Sequence, residues 1–169
     1  PQAMLINIIP KPNQVKQKEG VFTLSPELKV VCTESTQQMA LLVKQLLDNI
    51  LKKDIGISID EPANSGYQIK LVIDQGLEHL GKEGYELYIS EHQVNLKAAS
   101  KAGVFYGIQS IRQLLPNEIE TDTVKAEFLK LPCLEITDTP RFGWRGFMFD
   151  ESRHFFGKEM IKQYIDILA

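Results

Sequence analysis

The side chains best able to do chemistry crowd into one short stretch. Residues 141–157 hold Arg141, Trp144, Arg145, Asp150, Glu151, Arg153 and His154. Carboxylates and histidine move protons, and arginines grip oxygen-rich ligands. Residues 144–150 read as a strand, and Glu159 to Leu168 reads as a helix with Ile161, Tyr164, Ile165 and Leu168 on one face. A strand followed by a helix offers its chemistry at the strand's C-terminal end and in the loop after it. That rule favours Asp150 through His154. Asp150 and Glu151 are adjacent, so on a strand they point to opposite faces and cannot form a facing acid–base pair. A purely structural alternative stands beside this: Asp150, Arg153 and His154 bond one another and tie down the loop.

Elsewhere the chemical signal is thin. His79 and His92 fall in loops without spaced partners and read as surface residues. Cys32 and Cys133 lie far apart, outside any CxxC or Cys/His cluster, so no metal site is expected. They read as two small core residues, with a bridge between them as the alternative. Gly81 to Gly84 and Gly103 to Gly107 do not match a phosphate-binding loop. Gly103 and Gly107, four apart on a helix, suit close helix–sheet packing. No cofactor is expected.

The elements around these residues are those of an ordinary globular chain. Of 169 residues, 43% are hydrophobic and 24% charged, which excludes disorder, collagen and coiled coil as whole-chain readings. With 19 basic against 22 acidic residues and no long basic run, no nucleic-acid partner is expected. No apolar stretch reaches the roughly 20 residues that span a bilayer.

Leu5 to Ile9, Val21 to Leu24, Leu28 to Cys32, Tyr67 to Ile73, Tyr85 to Ile89, Val94 to Ala98 and Leu134 to Ile136 read as strands. Tyr85 to Ala98 is a hairpin turning at Glu91-His92. Met39, Leu42, Val43, Leu46, Leu47 and Ile50 form the stripe of a first helix, capped by Thr33 or Ser35. Ser100 caps a second helix, which faces inward with Val104, Ile108, Ile111 and Leu115 and stops at Pro116. Residues 60–66 and 117–130 read as loops. The fold expected is α+β, a layered sheet with both helices on one face. A boundary follows at Asp138-Thr139-Pro140. Residues 1–138 form one domain. Residues 139–169 read as the first βα unit of something larger, because the chain stops in mid-helix without a cap.

Three stretches together resemble family 20 glycoside hydrolases, the β-N-acetylhexosaminidases: IIPKPNQV (8–15), GYELYISEHQVNLKAASKAGVFYGIQSIRQLLP (84–116) and ITDTPRFGWRGFMFDESRHFFG (136–157). The last block, Trp-Arg-Gly followed by Asp-x-x-Arg-His-Phe, is the most specific. The resemblance implies an accessory α+β domain over 1–138 and the start of a TIM barrel over 139–169. A closed barrel needs eight βα units and about 250 residues, so this chain is expected to be a truncated, inactive piece.

The resemblance also implies an exo-acting enzyme. It would release terminal N-acetylglucosamine or N-acetylgalactosamine from glycans with retention, using the substrate's own acetamido oxygen as nucleophile. The Asp-Glu pair that serves this reaction lies beyond Ala169, so no catalytic residue is expected in this chain. Arg145 matches the family's arginine that holds sugar hydroxyls, with Asp150, Arg153 and His154 as its supporting shell. Two-residue alternation sets Arg145 with Phe147 and Phe149, and a long side chain pointing up the barrel interior would reconcile it with the strand-end rule. Glu151 departs from the small or apolar residue common at its position. Self-association through 139–169 is expected of the piece alone. By family habit a bacterial parent acts in the periplasm or outside the cell, and an animal one in lysosomes. The competing readings are a stand-alone binding or scaffolding module and the accessory domain of a family 84 hexosaminidase. The 150–154 block argues against the second.

Overall fold

The computed structural model describes residues 5–61, 66–116, 119 and 129–169. They divide into two compact units, Pro1–Thr139 and Pro140–Ala169.

The first unit is a seven-stranded mixed sheet. Its strands are β1 (Gln14–Thr23), β2 (Lys29–Cys32), β3 (Gly56–Ile59), β4 (Gln68–Ile73), β5 (Tyr85–Ile89), β6 (Gln93–Ala98) and β7 (Lys130–Asp138). Their order across the sheet is β1-β7-β5-β6-β4-β2-β3. β3, β2, β4 and β6 run parallel, whereas β5 pairs antiparallel with β6 and β7, and β7 antiparallel with β1. Two helices follow, α1 (Gln37–Leu51) and α2 (Lys101–Leu114).

Register puts both helices on one sheet face. Val30 pairs with Ile69, Ile69 with Val94, and Leu71 with Leu96. These residues share one buried cluster with Val43 and Leu47 of α1 and with Val104, Ile108 and Ile111 of α2. Burial at this scale, about 25 cal/mol per Å² of apolar surface, is the main stabilising term. α2 approaches closely because Gly103 and Gly107 lack side chains. A Cβ added at Gly107 would run into the Leu96 side chain, and one at Gly103 into the Gly84 carbonyl. The Ser100 hydroxyl accepts the Ala102 N–H at 3.1 Å and caps α2. Cys32 and Cys133 are free thiols buried in this unit.

The sequence reading needs several corrections. Leu5 to Ile9 is not a strand. The Gln113 side chain meets this segment instead: its amide oxygen accepts the Ile9 N–H at 2.8 Å and its Nε2 donates to the Ile9 carbonyl at 3.1 Å. β1 begins at Gln14, seven residues before Val21, with a register break between Gln17 and Val21. Its polar first half carries no apolar alternation because it is an edge strand facing solvent. β3 falls where no strand was expected: it is a short outer strand. β7 runs for nine residues and includes Pro132. β5 pairs only with Leu134 to Asp138, so the missing Pro132 N–H disrupts no ladder on that side. On α1 the inward face centres on Ala40, Val43 and Leu47, and Leu42 of the expected stripe is exposed. The 117–130 loop lies mostly outside the described residues.

In the second unit, α3 (Lys158–Leu168) follows Gly157, whose φ of 91° is a conformation that favours glycine. Residues 144–150 do not form a paired strand. A barrel strand takes its hydrogen bonds from neighbouring strands, and none lies beside this segment among the described residues of the unit.

Candidate functional site

The candidate site is the turn between residues 150 and 157. Asp150 organises it. Its Oδ1 accepts the N–H groups of Ser152 at 3.1 Å and Arg153 at 3.2 Å. Its Oδ2 pairs with Arg153 Nε at 2.7 Å. A short side chain that accepts from amides two and three residues on is the usual way an aspartate fixes a tight turn. The Arg153 side chain is 86% exposed. His154 stays outside the pair, with its ring 6.2 Å from that of Phe156. Of the three residues expected to bond one another, two do.

Arg145 lies at the other end of the segment. Its Nη1 donates to the Phe142 carbonyl at 2.7 Å, so the guanidinium folds back on its own chain. Trp144 is exposed. Phe147 and Phe149 both pack on Tyr164 of α3, with ring centroids 5.8 and 5.0 Å away, and Phe149 also meets Phe156 at 6.1 Å. The residues two apart therefore share the helix-facing side, as extended backbone requires. Met148, of the opposite parity, is 92% exposed. This contact fixes which way the segment faces, and one-dimensional spacing did not disclose it. Glu151 is partly buried. Both its carboxylate oxygens are shielded and lack a hydrogen-bond partner among the described residues.

A hollow of about 350 Å³ lies in the first unit on the sheet face opposite the helices. Glu86, Tyr88, Asn95, Lys97, Glu135 and Thr137 line it. Two of these residues engage a neighbouring lysine. Lys18 pairs with Glu135 and holds that carboxyl below its ordinary range, while its ammonium sits 4.7 Å over the Tyr88 ring. His79 and His92 belong to the first unit, His79 in a 3₁₀ turn over Gln75–Leu80. Among the described residues no cluster of three or more His, Cys, Asp or Glu is placed to hold a metal ion. None of their helices is long and apolar enough to cross a membrane.

Comparison with known proteins divides the chain at the same place as its two units. Residues 5–139 match glycosyl hydrolase family 20, domain 2, and residues 142–169 match the catalytic domain of that family. A β-hexosaminidase of Porphyromonas gingivalis is 37% identical over 97% of the chain, which covers 21% of that protein. A β-N-acetylhexosaminidase of Cellulomonas fimi is 28% identical over 97% of the chain, which covers 32% of it. Among solved structures, a family 20 β-N-acetylhexosaminidase from Streptomyces coelicolor superposes with a TM-score of 0.80 at 30% identity. That match covers 95% of this chain and 32% of the other. The chain thus spans about a fifth to a third of the proteins it matches.

Proposed function

This chain belongs to glycosyl hydrolase family 20, and from that premise we propose that it is the accessory domain and barrel start of an exo-acting β-N-acetylhexosaminidase. The observation that carries the proposal is the double match, domain 2 followed directly by the opening of the catalytic domain. The substrate class is glycans ending in N-acetylglucosamine or N-acetylgalactosamine. In the substrate-assisted retaining reaction of this family, the acetamido oxygen of the sugar attacks the anomeric carbon, and a protein carboxylic acid protonates the leaving oxygen. Neither that acid nor its aspartate partner is assigned within these 169 residues, so the chain alone is inactive. A bacterial parent would act in the periplasm or outside the cell, and an animal one in lysosomes. Nucleic acid is not among its partners.

The chain's own contribution to the active site is a grip on sugar hydroxyls. We assign it to Arg145 of the Trp-Arg-Gly stretch, within the residues that match the catalytic domain, with Asp150, Arg153 and His154 as its supporting shell. A long side chain rising through the barrel interior would bring its guanidinium toward the strand's C-terminal end, where ligands bind in a βα barrel. Asp150 and Arg153 pair at 2.7 Å in the turn that follows. A guanidinium suits the task because its planar donor fork can serve two adjacent oxygens.

The test uses the protein extended through the rest of the family's catalytic domain, with a chromogenic N-acetyl-β-glucosaminide. Hydrolysis by the extended protein supports the activity. A loss of about 10²–10⁴ in kcat/KM for Arg145→Ala, against less than tenfold for Arg153→Ala, supports the assignment, at roughly 1.5–3 kcal/mol per charge-assisted hydrogen bond. The reverse ranking would move the grip to Arg153.

A further inference from the structure

We propose that the hollow on the outer sheet face of the first unit binds a sugar unit of a neutral glycan. The place and the ligand class come from the sheet, and the choice of glycan rests on the function proposed above. Asn95, Tyr88 and Glu135 are ladder partners in one row, and Lys97, Glu86 and Thr137 in another. The row between them, Leu96, Leu87 and Ile136, belongs to the buried cluster that meets the helices. All six side chains therefore stand on the opposite face. They line about 350 Å³ of space, within the roughly 300–1,000 Å³ of small-molecule sites. One lining group is set by a backbone irregularity. Lys16 is the ladder partner of Glu135, yet the ion pair of Glu135 is with Lys18. The register of β1 breaks between Gln17 and Val21, and Gly20 within the break has a φ of 100°. A Cβ there would collide with the Glu91 side chain. Bulges re-aim side chains, and this one brings the Lys18 ammonium to Glu135 and over the Tyr88 ring.

The lining selects the ligand. Among the described residues, Glu86, Lys97 and Thr137 form no side-chain hydrogen bond or ion pair, and Asn95 reaches the Gln93 amide oxygen only at 3.5 Å. Each carboxylate is matched by a lysine, Glu135 by Lys18 and Glu86 by its ladder partner Lys97. An anion would meet the two glutamates, a cation would meet the two lysines, and an apolar ligand would leave all four groups unsatisfied. Sugar hydroxyls both donate and accept, so they serve carboxylate, ammonium, amide and hydroxyl together. Tyr88 is the one large exposed apolar side chain in the lining, which is too little apolar surface for a face-to-face contact between two copies.

The test is an amide NMR titration of the 169-residue chain with the trimer of N-acetylglucosamine. Saturable shifts should centre on Glu86, Tyr88, Asn95, Lys97 and Thr137. Glu86→Gln should weaken binding about tenfold and Asn95→Ala about fivefold, with melting temperatures close to that of the wild type. Inorganic phosphate at the same concentration should leave these resonances in place. Lys70 and Lys16 continue the row of Asn95 and Glu135 to either side, so saturable shifts with phosphate would show an anion site and overturn the proposal. Shifts confined to residues 140–169, or no saturable shift in the hollow, would overturn it as well. Broadening of the same resonances with rising protein concentration and no sugar would show that a second copy covers the face, which also contradicts it. The titration needs no turnover: an extended protein that fails to hydrolyse its substrate would defeat the proposed function, while the titration still decides the hollow.

Discussion

Tyr85 on β5 and Ser110 on α2 place their hydroxyl oxygens 2.5 Å apart inside the helix–sheet layer, where both residues are buried. Burial is the main reason that the Tyr85 phenol is pushed up to about 12, with the Ser110 hydrogen bond opposing it. The raised value has a definite sign for stability. Below pH 10 the phenol is protonated whether the chain is folded or not, and stability does not depend on it. Between pH 10 and 12 the unfolded chain loses this proton while the folded one keeps it. Stability should therefore fall by about 1.4 kcal/mol per pH unit across that window. Tyr85→Phe should remove this component of the alkaline slope in denaturant titrations. An unchanged slope would show that Tyr85 ionises as freely in the fold as outside it.

Gly107 faces Leu96 so closely that no methyl fits between them. Gly107→Ala should destabilise the first unit by about 1–3 kcal/mol, despite the better helix propensity of alanine. Leu96→Ala should make room for it. The double variant should then lose less than the sum of the single losses, as expected for two residues in contact. Additive losses in urea denaturation would show that the helix relaxes away from the sheet instead.

How much of this was readable in one dimension depended on what each residue faces. Residues that turn inward announced themselves: Val104, Ile108, Ile111 and Leu115 were expected on the inner face of α2, and all are buried. The hairpin of β5 and β6 and the Ser100 cap were readable for the same local reasons. The first half of β1 was not, because Gln14 to Glu19 faces solvent along an edge and its strand state comes from pairing with β7. The site was readable in its chemistry but not in its direction. The Asp-x-x-Arg spacing that pairs Asp150 with Arg153 is visible in sequence. The side of the segment facing α3 became known only from the rings of Phe147, Phe149 and Tyr164.

Glu151 supplies a prediction of opposite sign to most substitutions. Its carboxylate oxygens are shielded without a hydrogen-bond partner among the described residues, and an unpaired shielded charge costs stability. Glu151→Gln should leave the melting temperature unchanged or raise it, by up to about 1 kcal/mol of stability. A clear drop in thermal unfolding would mean that the charge has a partner in solution.

The 169-residue chain should self-associate through residues 139–169. Trp144, Met148 and Phe155 are 87%, 92% and 77% exposed, and contiguous exposed apolar surface seeks burial. Sedimentation velocity should show a concentration-dependent shift to larger species, and removal of residues 140–169 should abolish it. A monomer at every concentration would contradict this.

Turnover of a chromogenic N-acetyl-β-glucosaminide, by the 169-residue chain and by the protein extended through the family 20 catalytic domain, tests the account most directly. The account predicts no hydrolysis above the buffer blank for the chain alone and clear hydrolysis, with the anomeric configuration retained, for the extended protein. Turnover by the chain alone, or none by the folded extended protein, would contradict it.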